Sequence, residues 1–173
     1  MVTALNIADT LIRDYGDELM LSNLKLNKLI YYAQAVMLRH TGHVLFTDNI
    51  EAWKYGPVEK SVYNAFSRYG SSRINEPTGQ TTPRLDEDQH ITIETIAKDY
   101  GKLTAFDLMM FSHRPGSAWR DAYQPDKNVI ITPAMICASN DGIEPPRSSQ
   151  TLEGGIKLAA KEHANALRML ENT

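Results

Sequence analysis

Residues 24–70, LKLNKLIYYAQAVMLRHTGHVLFTDNIEAWKYGPVEKSVYNAFSRYG, place a long amphipathic run, a short aromatic segment and a Gly-Pro turn in direct succession. Within 25–41 the apolar residues Leu26, Leu29, Ile30, Ala33 and Met37 recur at helical spacing, which predicts a helix with one face on a core. Ser22 or Asn23 can accept from its first free N–H groups, and Gly42 suits the left-handed position at its end. Tyr31 and Tyr32 are adjacent and cannot share a face. The reading puts one in the core and leaves the other partly exposed, for a partner or a hydrogen bond across the domain.

After Gly42, Leu45, Phe46, Ile50, Ala52 and Trp53 span too little chain for another helix, and 50–54 reads as a short strand or extended arm. Gly56-Pro57 is then expected to open a second helix, because proline at the first helical position gives up a donor that lacks a partner anyway. Glu59 falls in its first turn, where negative charge is favoured. Val58, Val62, Ala65, Phe66 and Tyr69 form its apolar stripe, and Gly70 stops it.

The flanking chain reads as further short helices. Thr3 caps one over 4–15 that Gly16 ends, and 71–84 is a polar loop with Pro77, Gly79 and Pro83. Asp86 and Gln89 have capping-pair spacing before a helix over 87–100, although Ile91-Thr92-Ile93 alternates as a strand does. Thr104 and Asp107 cap a helix over 105–113 that is apolar on most sides and belongs deep in the core. Ser117 caps a short helix holding Trp119 and Tyr123, 128–131 is extended, and Thr132-Pro133 starts a helix through Cys137. Residues 1–140 form the domain, 141–150 (DGIEPPRSSQ) a linker, and 151–173 an amphipathic tail helix with Leu152, Ile156, Ala159, His163, Leu167 and Leu170 on one stripe.

A chain of 173 residues buries a core without disulfides, and its single cysteine agrees. A net charge of -3 gives nucleic acid no broad basic face. Lys25, Lys28, Arg39, Lys54, Lys60, Arg68 and Arg73 read as a solvated face offset by Asp48, Glu51 and Glu59. No signal peptide and no 18-residue apolar run are seen, so a cytoplasmic protein without a membrane partner is expected. The histidines His40, His43, His90, His113 and His163 lack metal-ligand spacing, so no metal and no cofactor is expected. Ser112-His113 near Trp119 invites a hydrolase reading, but there is no Gly-x-Ser-x-Gly elbow and no carboxylate placed to orient the histidine. A histidine bonded to backbone fits better.

KLNKLIYYAQAVMLRHTGHVLF followed by EAWKYGPVEKSVYNAFSRYG resembles the Panacea domain of bacterial and phage antitoxins, the SocA-like and GepA-like family. YGKLTAFDLMMFSHRPGSAWRDAY is similar to that family's closing pattern, with Ser112-His113 in place of Thr-His and Trp119 kept. The resemblance spans 5–133 and assigns structural roles to its motif residues Lys25, Lys28, Gly56, Pro57, His113 and Trp119. It implies a mainly α, compact helical domain with a minor β or extended element. It also implies an antitoxin that neutralises a protein toxin encoded beside it by direct binding, and no enzyme. Delivery of the toxin to the ClpXP protease, DNA-binding autoregulation and an unassigned enzyme around His113 remain as alternatives. The expected partner-binding residues are the anchor-type aromatics Tyr31, Tyr32, Trp53 and Tyr55 with Lys54, and Ile156, His163 and Leu167 on the tail.

Overall fold

The computed structural model describes residues 2–81 and 83–147, with Thr151, Gly154 and Ile156. Helix α2 (Asn23–Thr41) is its axle. Ser22 accepts from the Lys25 N–H at its start and Gly42 closes it in the left-handed region. Every residue from Leu26 to Leu38 is buried, so the expected single buried face is instead a helix enclosed on all sides. Helix α1 (Ala4–Leu19) starts at a Thr3–Asn6 capping box. It runs one turn beyond Gly16, which fits mid-helix without a cap, and ends where Met20 turns left-handed.

The second block differs from its sequence reading. Strand β1 (Ile50–Trp53) pairs antiparallel with β2 (Gly56–Glu59), in register Trp53 with Gly56 and Ile50 with Glu59. Gly56-Pro57 therefore opens a strand and not a helix. The φ of Gly56 is +101°, outside any helical conformation, and Pro57 sits where β2 needs no ladder donor. Helix α3 (Lys60–Ala65) begins after it with Glu59 as the cap, its carboxylate accepting from the Ser61 and Val62 N–H groups. A short 3₁₀ turn over Ser67–Tyr69 follows.

The segment 71–84 is a loop as expected, tied to α1 where Asp9 accepts from the Thr78 N–H at 2.8 Å, and to Leu21 O through Ile74 N–H. Helix α4 (Glu87–Thr95) starts at the Asp86–Gln89 capping box and continues as a wider π turn over Ile96–Tyr100. Helix α5 (Ala105–Ser112) carries the Thr104–Asp107 box. It is not buried all round: Phe106 and Met110 are about half exposed on its outer side. Helix α6 (Ala118–Ala122), strand β3 (Val129–Ile131) and helix α7 (Pro133–Ala138) complete the order. Strand β3 pairs antiparallel with β1, giving a small sheet in the order β2-β1-β3 on a mainly α body. The tail-helix residues His163 and Leu167 lie outside the described residues. Ile156 is exposed.

Candidate functional site

Two buried polar anchors and one half-buried ring fix the β1–β2 hairpin on the helical body. The first is Lys28, wholly buried, whose ammonium donates to Pro57 O at 2.8 Å. A Cβ placed on Gly56 would stand 2.7 Å from Lys28 Cε and 2.8 Å from Ser112 Oγ, so only glycine lets the hairpin close over them. Burial pulls Lys28 down to about 7, and a neutral amine still donates to Pro57 O. The second is Trp119, whose indole N–H donates to Trp53 O at 2.7 Å. The third is His113, tilted 39° against Trp119 with ring centroids 3.6 Å apart. Its Nδ1 donates to Met109 O at 2.6 Å, and its Nε2 lies 3.4 Å from Lys54 O. The motif residues Lys28, Gly56, Pro57, His113 and Trp119, distant in sequence, thus meet beneath one hairpin. Lys25 serves elsewhere: its ammonium joins Leu19 O and Gly101 O, closing α1 and the π turn against α2.

These contacts overturn the reading of a solvated basic face for Lys25, Lys28 and Arg39, while Lys54, Lys60, Arg68 and Arg73 stay exposed as read. Lys25 and Lys28 are buried. Arg39 is spent on the carbonyls of Ile136, Cys137, Ser139 and Asp141. Long cationic side chains satisfy backbone carbonyls that the helix ends and the sheet leave without partners, which opposite-charge bookkeeping along a sequence does not reveal. The three acids take local roles. Asp48 accepts from the Ala4 N–H at 2.9 Å, Glu51 from the Trp53 indole at 2.7 Å, and Glu59 caps α3.

Tyr31 and Tyr32 are both buried, so neither is left partly exposed as expected. They sit on an enclosed helix, edge to face at 5.2 Å, and Tyr32 stacks on Tyr100 at 5.0 Å. Tyr31 Oη donates to Asp141 Oδ2 at 2.5 Å. That carboxylate oxygen also accepts from the Ala118 N–H at 2.9 Å and Ser139 Oγ at 3.3 Å, while Arg114 reaches its other oxygen at 3.6 Å. Asp141, placed by sequence at the head of the linker, is therefore a buried hub. Burial and the Asp141 charge push the Tyr31 phenol well above its ordinary value, and burial does the same for Tyr32. Sequence reasoning missed Asp141 because it meets Tyr31 across 110 residues, and Arg114 because its partner is that same carboxylate.

What the hairpin presents outward is a groove of about 540 Å³ between α2, the hairpin tip and α3. Its walls are Leu24, Trp53, Tyr55, Val58 and Tyr63. Its floor is an amide ladder: Asn27 donates to Asn23, Asn23 donates to Tyr63 O at 2.9 Å, and the Glu59 N–H donates to Asn27 at 3.1 Å. Tyr55 is 58% and Tyr63 39% exposed, and Trp53 meets Tyr63 edge to face at 4.9 Å. Of the expected contact residues, the fold brings together Trp53, Lys54 and Tyr55. It adds Tyr63, which lies one position off the buried stripe of Val62 and Phe66 and so points outward.

Ser112 is wholly buried, its hydroxyl donating to Met109 O at 2.7 Å. Among the described residues no carboxylate orients His113, and no cluster of His, Cys, Asp and Glu has metal-holding geometry. No described helix is long and apolar enough to cross a membrane.

The class is that of a mainly α domain with a small sheet, carrying an aromatic-rimmed groove beside its hairpin. The family model described as antitoxin SocA-like, Panacea domain, matches residues 26–120, and the chain belongs to that family. Antitoxin SocA of Caulobacter vibrioides (strain NA1000 / CB15N) is 34% identical over 112 residues. That alignment covers 59% of this chain and 60% of the relative, less than two thirds of the relative's length. No solved structure matches.

Proposed function

We propose that this chain is an antitoxin that neutralises a protein toxin by covering part of its surface, and that the groove beside Trp53, Tyr55 and Tyr63 is the grip. The observation that carries this reading is the pairing of exposed aromatics with a hairpin pinned from below by Trp119 and Lys28. Rigid aromatic anchors bind with little loss of side-chain freedom, and a footprint of about 800 Å² per partner around them is enough for a stable complex. Family membership and the relative's description as an antitoxin support the role. They favour a non-enzymatic protein, and the burial of Ser112 agrees with that. DNA-binding autoregulation is disfavoured, because Lys25, Lys28 and Arg39 are engaged inside the fold. The tail over 151–173, carrying Ile156, His163 and Leu167, is proposed as a second contact beyond the domain.

The test is co-expression with the product of the adjacent reading frame in growing cells. Rescue of growth is expected from the parent chain and not from the Tyr55→Ala/Tyr63→Ala variant, both of whose changes lie at the surface. Full rescue by that variant, folded by circular dichroism, refutes the grip.

A further inference from the structure

We propose that the groove selects an acidic protein segment carrying an apolar anchor. This rests on the reading of the groove as the toxin grip and names the chemistry it recognises. Between residues 53 and 72 every exposed charged side chain is cationic: Lys54, Lys60 and Arg68. Glu59, the acid within that stretch, is buried as the α3 cap. None of the three cations has a carboxylate partner among the described residues. Lys54, in the groove lining, lies 5.5 Å over the Tyr55 ring, and Arg68, next in sequence to the lining residue Ser67, lies 4.9 Å over the Tyr69 ring. Lys60 precedes Tyr63 by three positions and shares its side of α3.

The exposed acids gather elsewhere. Asp14, Asp17 and Glu18 sit at the end of α1, where Arg73 pairs with Asp17. Asp86, Glu87, Asp88, Glu94 and Asp99 follow the cap, the body and the π turn of α4. A chain of net charge -3 thus carries exposed cations in and beside its aromatic groove. The apolar walls Leu24 and Val58 suit a single aliphatic or aromatic side chain, and Lys54 in the lining, with Lys60 and Arg68 on the neighbouring chain, suits carboxylates flanking it. A nucleic acid fits less well. The Glu51 carboxylate stands at Trp53, where a strand with a phosphate at every nucleotide meets it, whereas a peptide spaces its carboxylates around it.

The experiment selects random displayed peptides of about twelve residues on the full chain and measures the enriched ones by fluorescence anisotropy, beside an oligothymidylate of similar length. Enrichment of Asp and Glu around a Leu, Phe or Trp is expected. Affinity should fall at least about tenfold in Lys54→Glu/Lys60→Glu/Arg68→Glu and between about 50 and 300 mM salt. Basic or neutral winners, tighter binding of the oligonucleotide, or affinity unchanged in the charge variant overturns the proposal. So does a dimer of the chain that the charge variant dissociates, since the occupant is then a second copy. Growth rescue separates the two readings. If Tyr55→Ala/Tyr63→Ala abolishes rescue and the charge variant retains it, the grip stands and the acidic chemistry fails. If the aromatic variant rescues while acidic peptides still bind at the groove, the grip fails and the chemistry stands.

Discussion

At the scale of single residues, the buried cations set how stability responds to pH. Lys28 titrates near 7 in the folded chain and at 10.5 when unfolded. Between those values the unfolded chain holds a proton that the folded chain has released, so stability rises with pH across that window. Lys25, also lowered by burial, acts in the same sense. Tyr31, Tyr32 and Tyr100 act oppositely above about pH 10, where the unfolded chain loses phenolic protons that the folded chain keeps. Urea unfolding at about pH 7, 8 and 9 should therefore show a free energy climbing by up to ~1.4 kcal/mol per pH unit. Lys28→Met should remove most of that slope, and an unchanged slope in the variant would refute the assignment. Gly56→Ala forces a side chain into positive φ against Lys28 and Ser112, and should cost about 1–3 kcal/mol by the same measurement.

At the scale of elements, the caps were legible and the contacts across the chain were not. Thr3, Ser22, Asp86, Thr104, Ser117 and Thr132 each accept where local sequence places them, because a cap is decided within four residues. The turn at Gly56-Pro57 shows the opposite case. Proline at a helix start and proline at a strand start look alike in sequence, and the choice came from β1 and Lys28, both remote from it. Trp53, Lys54 and Tyr55 stood among the expected contact residues beside Tyr31 and Tyr32, which are buried, whereas Tyr63 and the Asn23–Asn27 ladder needed the hairpin in place. The hairpin should accordingly depend on Trp119. Trp119→Phe keeps the ring and removes the donor to Trp53 O, at a cost of about 1 kcal/mol. Hydrogen exchange of the β1 amides should quicken in that variant while α1 is unaffected, and equal quickening of both would count against a local anchor.

At the scale of the molecule, the boundary of the folded unit turns on Asp141. Its carboxylate gathers Tyr31, Ala118, Ser139 and Arg114 from α2, α6 and the turns around them. Sequence placed it in a linker because the prolines that follow it dominate the local composition. A chain ended at Ser139 loses this hub and should fail to unfold cooperatively, whereas one ended at Arg147 should melt as a single transition. Asp141→Ala in the full chain should lose about 1–3 kcal/mol, since it leaves the buried Tyr31 hydroxyl and the Ala118 N–H without their acceptor. Thermal melting of the three proteins checks both statements, and a cooperative melt from the Ser139 end would overturn the hub.

The Arg39 guanidinium holds the carbonyls of Ile136, Cys137, Ser139 and Asp141 directly against the central helix. Traction applied just beyond Asp141 is therefore transmitted to the middle of the molecule through a single side chain. A pull from that point meets this latch before it reaches the sheet, and the central helix bears the load.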